Sequence, residues 1–287
     1  MREIVFAHSD VQFPSYTDYR SLVRVGGFES CPLSATAPGR TCTYIVSPVW
    51  SGEERAAISA LAGAPGRHCG VVWWFLERAV LFGGAEFRWI AHNLLSTGVD
   101  EVWVSDRALY SKLRPHSEQF RFVPVGSDER LAEGAGAPEP NDVCLMAWMN
   151  PRRDAVVGAL RCSIGQNAFG NERHRRLLGA SLLLNIHQDG DPYFEPLRFA
   201  LAAAYRLPVV SETCEDPFPY EPGVDFIAAP HGRLAAETMA ALAADRGLLR
   251  GFGGRMFEKA AVKHRLSDNV KAAMEEFSDH HVFSGHF

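Results

Sequence analysis

The chain reads as an α/β protein of two doubly wound halves, each a parallel sheet covered by helices. Three observations lead to that class. Short apolar runs alternate with helical stretches at the spacing of βα units, which build parallel sheets. The alternation stops between Asp128 and Asn141, where Glu-Gly-Ala-Gly-Ala-Pro-Glu-Pro has no period and reads as a linker. Beyond it the same alternation starts again. The expected division is a first domain over 1–138 and a second over 139–287, with the last helix able to pack back on the first.

The elements follow in order. Strand-like runs stand at Glu3–Ala7, Thr43–Val46, Val71–Phe75, Glu101–Ser105 and Phe120–Val125, separated by helical stretches at Gly52–Leu61, Glu86–Ser96 and Asp106–Lys112. After the linker, Val143–Trp148 reads as a strand and Pro151–Leu160 as a helix with proline in its first turn. Leu182–Ile186, Leu207–Ser211 and Val224–Ile227 follow as strands; Glu195–Tyr205, Leu234–Ala244 and Gly254–Glu276 follow as helices. Two such halves put the carboxyl ends of their strands on a shared cleft, where ligands bind in folds of this class.

Composition narrows the function. Lys and Arg number 29 against 34 Asp and Glu, a net charge of −5, with 47% hydrophobic and 22% charged residues, which excludes disorder. The best candidate for a membrane span, Gly70–Phe82, is short and broken by Glu77 and Arg78. The opening Met1-Arg2-Glu3 runs straight into apolar residues without the layout of a signal peptide, so a cytoplasmic protein is expected. Cys31, Cys42, Cys69, Cys144, Cys162 and Cys214 are scattered, with no spacing for a disulfide framework or a zinc site. The mild acidity argues against a dedicated nucleic-acid binder without excluding a local basic groove.

Four constellations can carry chemistry. Asn150-Pro151-Arg152-Arg153 places two arginines at a helix start, where the dipole favours anions; a bound phosphate makes sense of them, and so does solvation or an ion pair. Asn185-Ile186-His187-Gln188-Asp189-Gly190-Asp191 lies just past a strand, although a lone histidine is more often structural than catalytic. Glu195 opens a helix with Arg198 one turn on, a spacing that suits a plain ion pair as well as a site. Gly26-Gly27 lets backbone approach a ligand, a weak signal alone. Trp73, Trp74, Arg78, Arg88 and Trp89 mix aromatics with charge; core packing is the plainer reading, stacking of an extruded base the alternative. The glycine-rich phosphate and dinucleotide loops, GxSxG and HExxH are all absent.

In order, Met149–Arg153 (strand, Asn-x-Arg-Arg, helix), Leu184–His187 (Leu-Asn-Ile-His), Glu195–Arg198 (Glu-x-x-Arg) and Val209–Glu212 (Val-Val-Ser-Glu) resemble the donor domain of nucleotide-sugar glycosyltransferases of the GT-B fold. The resemblance is nearest to a divergent bacterial and phage branch that includes CgeB-like proteins, and covers roughly 143–245. It implies two Rossmann-like domains facing a central cleft, the first taking the acceptor and the second the donor. It also implies transfer of a sugar, UDP-sugars favoured, to an acceptor hydroxyl, with the nucleotide sugar as co-substrate and neither metal nor cofactor. Arg152, Arg153 and Arg198 would meet the diphosphate, Glu195 the sugar hydroxyls, and Glu212 the ribose and base. Asn150, His187, Gly26 and Gly27 complete the expected donor site. Larger retaining families carry a second acid in the helix after the first glutamate; here that position, near Leu201, has none. For an inverting reaction His8 and Asp10, past the first strand, are the candidate bases, with Glu29 next. The acceptor can be a glycan, a small molecule, a protein or hydroxymethylated DNA. A non-catalytic binding protein is the rival class.

Overall fold

The computed structural model describes residues 3–9, 23–47, 49, 51–76, 86–132, 137–166 and 171–280. Six strands form the first sheet: β1 (Glu3–His8), β2 (Glu29–Pro32), β3 (Cys42–Val46), β4 (Gly70–Phe75), β5 (Glu101–Val104) and β6 (Phe120–Phe122). Their order is β2-β1-β3-β4-β5-β6, parallel throughout. β3 and β4 are buried along their whole length, which is why they are apolar throughout except for Thr43. One face packs Val5, Tyr44 and Trp73 against α1 (Gly52–Ala62), α2 (Phe87–Leu95) and α3 (Arg107–Leu113). Ser51 and Glu54 open α1 with a capping box, and Asp106 caps α3. The opposite face, with Phe6, Ile45, Val72 and Trp74, is covered by α9 (Leu266–His280), which supplies Val270, Ala273, Met274 and Phe277.

The second sheet holds β7 (Asn141–Leu145), β8 (Ile164–Gln166), β9 (Ala180–Asn185), β10 (Val209–Glu212) and β11 (Ile227–Ala229) in the order β11-β10-β9-β7-β8, again parallel. Its helices are α4 (Pro151–Val157), α5 (Asn171–Gly179), α6 (Pro196–Ala204), α7 (Leu234–Ala243) and α8 (Arg246–Phe257). The alanine-rich α6 is buried from Phe199 to Ala204, its small side chains letting it sit close to its neighbours.

Several elements depart from the sequence expectation. β2 is a four-residue, largely exposed edge strand, and β8 and α5 are a three-residue strand and a helix rich in Arg and His; none carries the apolar run that marks an element. β11 begins at Ile227 because 221–226 is spent on a turn through Gly223, φ +80°. The single helix expected over Gly254–Glu276 is three pieces: α8, a π-helical turn over Glu258–Lys263, and α9. That interruption is where the chain returns to the first sheet. The Ser127 amide donates to Ala260 O at 2.8 Å and Leu266 N donates to Ser127 O at 3.2 Å, so the outgoing and returning crossings lie side by side.

The two carboxyl edges face each other. Tyr193 Oη, past β9, donates to Leu76 O, past β4, at 2.8 Å. Arg107, past β5, forks onto Asp216, past β10, at 2.7 and 2.5 Å, and Lys112 reaches Glu215 at 2.5 Å. Among the described residues no helix is long and apolar enough to cross a membrane.

Candidate active site

The carboxyl ends of β7, β9, β10 and β11 bring the predicted second-half residues into one network. Asn150 caps α4 by accepting the Arg153 amide at 2.9 Å, while its Nδ2 donates to Gln188 O at 2.8 Å and ties the β7 loop to the β9 loop. Arg152, on the first turn of α4, reaches across β9 to fork onto Glu212, Nη2 to Oε1 at 2.5 Å and Nη1 to Oε2 at 2.9 Å. His231, past β11, sits with Nδ1 2.7 Å from Arg152 Nη1 and 3.0 Å from Glu212 Oε1. The His187 amide donates to Glu212 Oε2 at 2.6 Å. Burial alone would raise the Glu212 carboxyl, but the Arg152 guanidinium and the His187 amide hold it below the usual carboxylate range.

Arg198 and Glu195 form the second centre. Arg198 Nη1 pairs with Glu195 Oε1 at 2.8 Å and donates to Asn185 Oδ1 at 2.7 Å; Asn185 Nδ2 in turn donates to Ser211 Oγ at 3.0 Å. Glu195 stands at the start of α6 without capping it, and its Oε2 is buried with no hydrogen-bond partner. A buried carboxylate oxygen lacking a donor is costly, and a ligand hydroxyl would satisfy it. His187 lies between the two centres. Burial pushes its pKa down against the opposing pull of Glu195 and Glu212, which favours the neutral ring, and Nε2 is 3.7 Å from Cys214 Sγ.

Two of the expected site residues are engaged within the chain. Arg153 is only 3% exposed and donates to Ile186 O at 3.0 Å and Trp148 O at 2.6 Å, so it pins two strand ends instead of facing a phosphate. Gly26-Gly27 closes the helical turn 23–25: Gly27, φ +82°, donates to Arg24 O and Phe28 donates to Val23 O. The Gly27 and Phe28 amides are thus spent on the chain itself. His8 ends β1, with Nδ1 3.0 Å from Ser9 O; Asp10 and Arg78 lie outside the described residues. Trp73 and Trp74 are 1% exposed and belong to the core, whereas Trp89 is 57% exposed.

Sequence reasoning missed Asn185, His231, Cys214 and Asp106. Asn185 lies inside Leu-Asn-Ile-His, and its signal is a polar residue set near the end of an apolar run. His231 was hidden by the misplaced β11, which put it too far from the sheet edge. Asp106 was read only as a helix start, yet it is buried where the halves meet.

Two parallel Rossmann-like sheets with opposed carboxyl edges define the GT-B fold. Neither a protein-family model nor a curated protein sequence matches the chain. Among solved structures it is similar to HepE from Anabaena in complex with UDP and glucose, at 10% identity and a TM-score of 0.66 over 97% of this chain and 100% of that one. An α-glucosyltransferase in complex with UDP and a 13-mer DNA containing a central A:G mismatch aligns at 7% identity and a TM-score of 0.60, covering 97% and 100%. TarM aligns at 10% identity and 0.55, over 82% of this chain and 54% of that one. At these identities the likeness establishes the fold.

Proposed function

We propose that this protein is a glycosyltransferase moving a sugar from a nucleoside-diphosphate donor, UDP-glucose by preference, to an acceptor hydroxyl. The observation that carries the reading is the Glu195–Arg198 pair at the start of α6, with one carboxylate oxygen left without a donor at the cleft edge. The UDP and UDP-glucose held in the HepE structures support the donor class. The narrower kinship with the CgeB-like branch rests on motif order alone.

In this reading Glu195 Oε2 accepts a sugar hydroxyl. The leaving diphosphate develops negative charge, and preorganised donors directed at it lower the barrier. Arg198, whose Nη1 alone is committed to Asn185 and Glu195, supplies those donors with no metal in the step. His8 is the candidate for taking the acceptor proton if configuration inverts, because Glu29 is held by both Nη atoms of Arg40 at 3.0 Å. A second reading, glucosylation of a hydroxymethylated base, draws on the neighbour that holds DNA. The net charge of −5 opposes it, because DNA affinity comes mainly from phosphate contacts.

Thermal stability against UDP, GDP, ADP and UDP-glucose tests the donor, followed by release of UDP from UDP-glucose with and without EDTA. We expect UDP to raise the melting temperature and EDTA to leave turnover unchanged. Arg198→Ala should lose at least ten-fold in turnover, about the value of one charged hydrogen bond, while staying folded. Glu195→Ala should weaken UDP-glucose more than UDP. Near-normal turnover in Arg198→Ala removes the diphosphate assignment, and a UDP-induced shift without UDP release points to the binding-protein class. Salt-sensitive binding to duplex DNA would bring the second reading forward.

A further inference from the structure

Glu212 ends β10 and is 3% exposed, and its carboxylate has no room for another partner. Two bonds from Arg152 and one from the His187 amide fill three lone-pair directions of its two oxygens, and the His231 ring, with Nδ1 3.0 Å from Oε1 and 2.7 Å from Arg152 Nη1, covers the fourth. A carboxylate offers about four such directions. A ribose hydroxyl would therefore have to displace one of these groups, each of which is part of the fold at a strand end. Arg152 is placed differently. A guanidinium carries about five N–H donors in a rigid fork; the fork onto Glu212 uses the Nη1 and Nη2 edge, and the side chain is 24% exposed.

We infer that Glu212 is a positioning residue: it fixes the Arg152 guanidinium and the main chain at His187 against the donor's diphosphate, and it does not hold the ribose. The inference rests on the nucleotide-sugar reading above.

Calorimetric titration with UDP, 2′-deoxy-UDP and 3′-deoxy-UDP tests it on the wild type, Glu212→Gln, Arg152→Gln and the double variant. Glu212→Gln should weaken all three ligands by one common factor of about ten, the size expected when a charged hydrogen bond is misplaced. The double variant should bind no more weakly than Arg152→Gln alone, because Glu212 acts through Arg152. A larger loss for UDP than for either deoxy analogue overturns the inference, since it marks a ribose contact. So does an unchanged or improved UDP affinity, which would make Glu212 a bystander or merely a repelling charge. Additive losses overturn it as well, by showing a general structural role. Glu212→Asp, which keeps the charge and retracts the carboxylate, serves the same comparison if the glutamine variant does not fold. Wild-type protein that binds none of the three sinks the donor reading itself, an outcome distinct from every other.

Discussion

Asp106 caps α3 by accepting the Leu109 amide at 3.1 Å, and it is 5% exposed where the two halves meet. Burial pushes its carboxyl up to about 6, against the lowering effect of the Leu109 and Ala108 amides, Lys112, and the Phe194 amide from the second half. A folded pKa above the unfolded value means that the native state binds the extra proton between about pH 4 and 6. Stability from this group is thus present at low pH and lost as pH rises through that window, by up to about 3 kcal/mol. Asp106→Asn keeps an acceptor for the cap without the buried charge. Measured by urea unfolding, the variant should gain on the wild type as pH rises from about 4 to about 6, then keep a constant difference. A difference independent of pH would show that the carboxyl titrates normally. Asp106 also explains a blind spot: a capping position can be seen from sequence, but burial by a segment some ninety residues away cannot.

Gly126 and Gly27 separate two costs at the scale of the connecting elements. Both have positive φ, +67° and +82°, which a side chain adopts only under strain. A Cβ on Gly27 meets nothing within 4 Å, whereas one on Gly126 would lie 1.8 Å from His264 O, inside the paired crossings. Gly27→Ala should therefore cost about 1–2 kcal/mol and leave UDP binding intact. Gly126→Ala has to move the backbone of the returning crossing and should cost about 3 kcal/mol or more. Equal unfolding midpoints for the two variants would mean that the crossings are looser than their hydrogen bonds indicate. The π-helical turn belongs to the same junction: Lys259 pairs with the fully buried Asp225 at 2.5 Å, while Ala260 O and the His264 region hold Gly126 and Ser127.

For the whole molecule, the ion pairs at the cleft are conspicuous but not what joins the halves. Arg107 and Asp216 are 43% and 37% exposed, a setting in which water and salt leave about 0–1 kcal/mol. The continuous cluster that runs from Phe6 and Trp74 through Val123, Val125 and Leu131 to Leu183 and Phe199 does more. Truncating Leu131, 4% exposed, removes packing from the middle of this cluster. We expect Leu131→Ala to lower unfolding free energy by about 2–5 kcal/mol. Arg107→Ala should cost under about 1 kcal/mol, and less still in molar salt. The reverse order in a denaturant titration would show that the halves are held electrostatically.

Much of this protein was legible from sequence by itself. Parallel strands buried on both faces are dominated by apolar residues, so β3, β4, β5 and β9 declared themselves, and with them the two-sheet class. Polar residues just past such runs marked one edge, and the resemblance in motif order implied that Arg152, His187, Glu195, Arg198 and Glu212 share a site. What those residues do to one another was decided by tertiary structure. Arg152 and Arg153 are neighbours of one type at one helix start, yet one forks onto a carboxylate 60 residues away and the other pins two carbonyls in the interior. The same holds for the edge elements β2 and β8 and for the break between α8 and α9, whose positions depend on partners distant in the chain. Local sequence sets periodicity and charge; which lone pair is filled, and which is left open for a ligand, depends on contacts that only the folded chain makes.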